Sequence, residues 1–173
     1  MLTPLQQEFV DRRPDSNIVV VPFDPTSNVK FEEIKREIQA VLGNVDVLHR
    51  GSTGLGVAGQ PEIDVYIPVN ATEIPEMTEK MEKVFGKPKS VRVDERTKFI
   101  KSIDQTMVEI ILVNKSAQSW IEGEIFFNYL VNHKESREQY EKLKGIGEEL
   151  SIREYYTRKF EFMNEILDKA AIK

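Results

Sequence analysis

Cysteine is absent from this 173-residue chain, which removes any disulfide framework and any thiolate metal site. Long apolar runs are absent too: the longest, such as residues 18–21 and 110–113, are strand-sized. A membrane-spanning helix needs roughly 20 apolar residues, so no membrane partner is expected. Nor is there an excess of positive charge, since 24 Lys and Arg stand against 29 Asp and Glu, a net charge of −5. Broad, non-specific nucleic-acid binding needs a cationic face and is not expected. A small anionic ligand held by a metal and a few local cations remains compatible with this charge. The start, Met1-Leu2-Thr3-Pro4-Leu5, lacks the basic segment and apolar core of a signal peptide, and the expected location is cytoplasmic. Internal repeats, low-complexity tracts and linkers are also missing. Residues 1–173 are therefore expected to form a single domain whose helical C-terminal part begins at about residue 115.

What is present reads as an α/β front half followed by helices. Thr3 and Pro4 suit the start of a short helix over residues 3–11, broken by Arg12-Arg13-Pro14-Asp15. Ile18–Val21 reads as a short buried strand ended by Pro22. From about Asn28, the spacing of Phe31, Ile34, Ile38, Val41 and Leu42 predicts a helix that stops at Gly43-Asn44. Val45–Leu48 and Glu62–Val69 read as strands, and Glu73–Phe85 as a helix ended by Gly86. Ser90–Lys101 reads as a basic hairpin with Asp94-Glu95 at its turn, and Met107–Val113 as the strongest remaining strand. Three helices follow, the last with Ser151 and Glu154 as its capping box.

The chemistry concentrates between His49 and Val69. Gly51, Gly54, Gly56 and Gly59 are four of the nine glycines, a density that signals tight turns or close ligand approach. Glu62 and Asp64 follow on alternate strand positions and so share one face. Neighbouring carboxylates repel unless a cation lies between them, and a divalent metal is the usual answer. Glu109 interrupts the apolar run of the later strand, and a lone acid there needs a partner. That partner is either a metal shared with Glu62 and Asp64 or an Arg or Lys of the hairpin. The backbone and hydroxyl groups of Gly51, Ser52 and Thr53 suit terminal phosphates. Arg96 and Lys98 either steer a triphosphate or form a solvated basic surface, and Glu62 with Asp64 would otherwise be the solvated face of an edge strand. His49 reads as a satisfied strand-end histidine or a phosphate contact. Tyr140, Tyr155, Tyr156 and Phe160 read as core, while Lys144 and Lys159 either lie along that core or close over a nucleotide.

An apolar strand, Gly51-Ser52, a short helix, Glu62-Ile63-Asp64 and a later Glu109 resemble the nucleotidyltransferase superfamily that includes DNA polymerase β. More narrowly, the chain is similar to the GrpB family. The likeness runs through Val20-Val21-Pro22-Phe23-Asp24-Pro25, His49-Arg50-Gly51-Ser52-Thr53, Pro61 with Asp64, Tyr140 through Lys144, and Tyr155 with Lys159. This chain departs from the usual GrpB pattern at Gln60, Glu62, Glu109 and Phe127-Asn128. The family generally has Lys, an aliphatic residue, His and Arg-Asp at those places. The resemblance implies a nucleotidyltransferase-like mixed β-sheet flanked by helices, with a helical C-terminal extension. It further implies a metal-dependent transferase that moves a nucleoside monophosphate from a nucleoside triphosphate to a small-molecule or protein acceptor. Glu62, Asp64 and Glu109 would converge on a pair of Mg²⁺ or Mn²⁺ ions, with Asp64 and Glu109 catalytic. The alternative is a non-catalytic nucleotide- or metabolite-binding module on the same fold, acting as a sensor or adaptor.

Overall fold

The computed structural model describes residues 1–14 and 16–171, and the backbone alone at Glu148. Asp15, the last residue of the predicted break, lies outside the described residues, as do residues 172 and 173 of the predicted C-terminal part. Helix α1 (Pro4–Asp11) starts as its sequence predicts. The Gln6 N–H donates to the Thr3 hydroxyl, the Thr3 N–H donates back to the Gln6 side chain, and Pro4 opens the first turn. Helix α2 (Thr26–Leu42) begins two residues ahead of the predicted Asn28, because the Asp24 carboxylate accepts from both the backbone N–H and the hydroxyl of Thr26. It ends at Gly43, whose φ of +80° lies in the left-handed region open to glycine.

Strand β1 (Leu48–Arg50), helix α3 (Gly51–Leu55), strand β2 (Glu62–Val69) and helix α4 (Ile74–Phe85) follow. Next come strands β3 (Ser90–Arg92), β4 (Arg96–Ile103) and β5 (Thr106–Asn114). Helices α5 (Gln118–Asn132), α6 (Lys134–Gly145) and α7 (Ile152–Ala171) complete the order. The β3–β4 hairpin turns at Asp94, with φ +60°, a conformation that Asp tolerates better than most residues. Ser151 and Glu154 form the predicted box at the start of α7, the Glu154 N–H donating to the Ser151 hydroxyl and the Ser151 N–H to the Glu154 carboxylate.

Two predicted strands come out differently. Residues 18–21 make only isolated bridges, Asn17 with Ser151 and Val21 with Gly59, and join no sheet. Ile18 is buried there, but Val19 is 61% exposed, so the apolar run anchors one side chain and supplies no second buried face. Strand β1 lies three residues later than its apolar residues suggest, because antiparallel pairing with β2 sets its register: Leu48 opposes Tyr66 and Arg50 opposes Asp64.

The chain divides into two compact units. One comprises Met1–Pro22, Val57–Gln60 and the chain from Glu122 onward; the other comprises Phe23–Gly56 and Pro61–Ile121. In the first, α1 packs on α7. Phe9 meets Tyr156 and Phe160 edge-on, and Phe126 meets Tyr140 and Phe162 in the same way. Tyr140 and Tyr155 are buried core residues, as predicted.

The second unit holds a five-stranded mixed sheet in the order β1-β2-β5-β4-β3, with β2 and β5 parallel and the other neighbours antiparallel. Alternation divides its faces. Ile63, Val65, Ile67 and Val69 of β2 and Val108, Ile110 and Leu112 of β5 pack against Phe31, Ile34 and Ile38 of α2 and Ile74 and Met81 of α4. Full burial of each such aliphatic side chain is worth about 2 kcal/mol, so this layer fixes the register of the central strands. Glu62, Asp64 and Glu109 occupy the intervening positions and face the other way.

His49 lies opposite Val65 and therefore points to the helix-covered face. Its ring stacks on Phe31 with centroids 4.6 Å apart, and its Nε2 shares a hydrogen bond of 3.0 Å with the Thr53 hydroxyl. Burial, reinforced by the Arg50 charge, pushes its pKa down to about 4. The folded state thus holds His49 neutral where the unfolded chain takes up a proton, so its contribution to stability falls as pH drops from about 6.5 toward 4. The expected result is that the His49 ring proton resonance stays constant by NMR down to pH ~5. Between pH ~7 and 5, His49→Asn should lose less melting temperature than the wild type does.

Candidate functional site

The sheet face opposite the helices collects the charged side chains. Strand register places Arg50 beside Asp64 and Asp64 beside Glu109, across β1, β2 and β5. Glu62 precedes Asp64 by two positions on the same face, and Tyr66 follows it by two. Lys98, opposite Ile111, and Arg96, opposite Val113, belong to the same face. The three predicted acids thus lie on one side of two adjacent strands. Among the described residues, however, no group of three His, Cys, Asp or Glu side chains is placed to hold one metal ion. Glu109 has taken the second of its two predicted partners. Lys98 Nζ donates to Glu109 Oε1 at 2.7 Å, and both side chains are more than three-quarters buried.

The predicted phosphate turn is brought against the acid strand. Gly51 opens α3 with φ +67°, and a Cβ built on it would coincide with the Asp64 carboxylate. Two independent constraints therefore require glycine here: the left-handed backbone and the carboxylate occupying the side-chain position. Ser52 is buried beside it, whereas the Thr53 hydroxyl is engaged by His49. Arg96 keeps its Nε buried with no hydrogen-bond acceptor among the described residues, so that donor is available to a ligand oxygen. Of the predicted residues, Gly51 touches Asp64 and Asp64 lies in register with Glu109, while Glu62, Arg96 and Lys98 share their sheet face.

Two residues of this face were not picked out by sequence reasoning. Arg50 falls between the strand expected over 45–48 and the turn at Gly51, where the apolar run gives it no role. Its place opposite Asp64 follows only once β1 is paired with β2. Trp120, at the start of α5, packs at a tilt against Tyr66, with centroids 5.2 Å apart and an interplanar angle of 30°. Its helical periodicity gave no sign of that contact.

No helix among the described residues is long and apolar enough to cross a membrane. No curated protein matches the chain. Among solved structures, the chain is similar to the crystal structure of the conserved protein GrpB from Enterococcus faecalis. That likeness has a TM-score of 0.66 and 20% identity, and it covers 88% of this chain and 96% of that one. At this identity it establishes the shared mixed α/β fold. The model of the GrpB protein family matches residues 17–169, from the bridge at Asn17 through the whole sheet and into the last turns of α7, and the chain belongs to the GrpB family.

Proposed function

We propose that this GrpB protein is a nucleotidyltransferase that moves a nucleoside monophosphate from a nucleoside triphosphate to a hydroxyl of a small-molecule or protein acceptor. The acceptor oxygen bonds to the α-phosphorus, pyrophosphate leaves, and the hydroxyl proton passes to a base. The observation that carries this reading is the contact of Asp64 with Gly51, which unites an acid strand and a glycine-serine turn in one small site. A solvated edge-strand carboxylate would require no glycine opposite it.

The donors fit one divalent cation better than two. Asp64, with Glu62 on its own strand and Glu109 in register, offers oxygen ligands only, as Mg²⁺ or Mn²⁺ prefers. Mg²⁺ is commonly held by one or two carboxylates with substrate phosphates completing its shell, so Asp64 with one neighbouring acid would suffice. When bound, that ion supplies charge neutralisation for the triphosphate. Asp64 would orient the site, Ser52 and Arg96 would take phosphate oxygens, and Lys98 would hold Glu109 in position as the proton acceptor.

A second reading, a nucleotide-binding module without turnover, draws on the Lys98–Glu109 pair itself. A carboxylate whose Oε1 already accepts from an ammonium has less to offer a metal or an acceptor hydroxyl.

Mg²⁺ with ATP at roughly ten times its Kd should raise the melting temperature by about 4 °C, and Asp64→Asn should abolish the rise. The proposal fails if none of the four common triphosphates produces a metal-dependent shift. Glu109→Gln separates the two readings: in the transferase it lowers turnover of labelled triphosphate by about 100-fold while the thermal shift survives. In the binding module neither protein turns over. Lys98→Met should cost about 1–2 kcal/mol in urea unfolding, because it leaves Glu109 partly buried without its ammonium. Gly51→Ala should cost about 1–3 kcal/mol through the strained φ and should also displace Asp64. Loss of the Mg²⁺–ATP shift in that variant, read alongside its crystal structure, checks the coupling.

A further inference from the structure

Lys144 is the most unusual cation in the helical unit. It is 4% exposed, although lysine is almost never fully buried without a counter-charge. Among the described residues no carboxylate lies within ion-pair distance of it. Instead, its ammonium lies over two tyrosine rings, 5.4 Å from the centroid of Tyr140 and 5.6 Å from that of Tyr155. The Tyr155 side chain is fully buried, and its hydroxyl has no hydrogen-bond partner among the described residues. The ammonium is close enough to interact with the hydroxyl oxygen, which leaves the O–H proton without an acceptor among the described residues. One turn further along α7, Lys159 lies 5.5 Å from the ring centroid of Tyr156, and its charge is felt at Lys144.

An unmet buried hydroxyl and a buried ammonium each carry a desolvation cost that a suitable acceptor would relieve. Both are donors, so the missing group is an acceptor. Lys159 adds a second positive charge within electrostatic range, which favours a dianion over a singly charged carboxylate. We propose that Lys144 and Tyr155, with Lys159 at the edge, form a second anion site that takes the phosphate group of a small molecule. It lies wholly within the helical unit and does not rest on the transferase reading of the sheet face.

The ionisation states agree with this assignment. Burial pulls the Lys144 pKa down, but the oxygens of Tyr140 and Tyr155 outweigh burial and the Lys159 charge, so the group titrates above its ordinary value and stays cationic. Burial raises the Tyr155 pKa against the opposing pull of Lys159 and Lys144, so its hydroxyl keeps the proton it would donate.

The test uses the full chain without divalent metal, with inorganic phosphate as the probe and acetate at equal ionic strength as the control. Phosphate at roughly ten times its Kd should raise the melting temperature of the wild type and of Asp64→Asn alike, by about 4 °C. Lys144→Met should lose the effect. Tyr155→Phe removes one oxygen and should weaken phosphate affinity by about fivefold in calorimetric titration, a loss of one hydrogen bond. If the hydroxyl has only a packing role, Tyr155→Phe instead melts higher and binds phosphate unchanged, which overturns the proposal even if Lys144→Met does not fold. Equal stabilisation by acetate, or no phosphate effect in the wild type, overturns it as well. Loss of the effect in Asp64→Asn assigns phosphate to the sheet face and defeats this site while leaving the transferase reading standing.

Discussion

The parallel pairing of β2 with β5 is the constraint on which the sheet unit depends. Side chains on paired strands alternate with a period of two, so a single register decides both faces at once. Ile63, Val65 and Ile67 are fully buried against α2 and α4, and that burial leaves no freedom to Glu62, Asp64 and Glu109. A slip of one residue would drive Glu62 and Asp64 into the apolar layer if β2 moved, or Glu109 if β5 moved, and expose that strand's aliphatics, at a cost of many kcal/mol. The acids are therefore placed by the hydrophobic side of the strands that carry them, and their proximity needs no metal to produce it. The requirement for glycine at position 51 follows from the same register, since Asp64 takes up the space a side chain there would need.

With the register set, the charged face has to balance itself. It is half-buried, so its ionic groups are partly removed from water and need partners. The Lys98–Glu109 bond is the clearest case, a short charge-assisted contact between adjacent strands. Arg96 follows the same alternation but keeps one donor unmet, and in that respect it is the complement of Lys98. One cation of the hairpin serves the fold by neutralising an acid. The other keeps a donor that a ligand could satisfy.

Much of this was legible in the residues, and the reasons differ from one stretch to another. The bounds of β2 were readable because strict alternation, an acid pair and a flanking Pro61 all point to the same element. The capping residues Thr3 and Ser151 and the stops at Gly43 and Gly86 were readable because their chemistry is local. Residues 18–21 misled because a four-residue apolar run carries no information about whether a partner strand awaits it. Arg50 was missed for a related reason: a three-residue strand is defined by what it pairs with. Periodicity also left the roles of Thr53 and Lys144 unresolved, since neither a hydroxyl engaged by His49 nor an ammonium over two tyrosine rings leaves a trace in spacing. The acid strand, the glycine turn and the later acid were visible, and the contacts that decide their chemistry were tertiary.

The departures from the GrpB pattern gain a physical meaning from those contacts. The resemblance led to an expectation of histidine where Glu109 stands, and a neutral imidazole on a half-buried strand would need no ammonium beside it. Glutamate does, and Lys98 supplies it across the neighbouring strand at 2.7 Å. Residues 98 and 109 therefore act as a unit, and replacing either alone would leave an uncompensated charge between strands β4 and β5. What differs at Glu109 is its donor chemistry: a carboxylate held by an ammonium two strands from Arg50, with Asp64 between them. Under the transferase proposal, loss of Asp64 should accordingly cost more activity than loss of Glu109, whose first commitment is to the sheet that carries it.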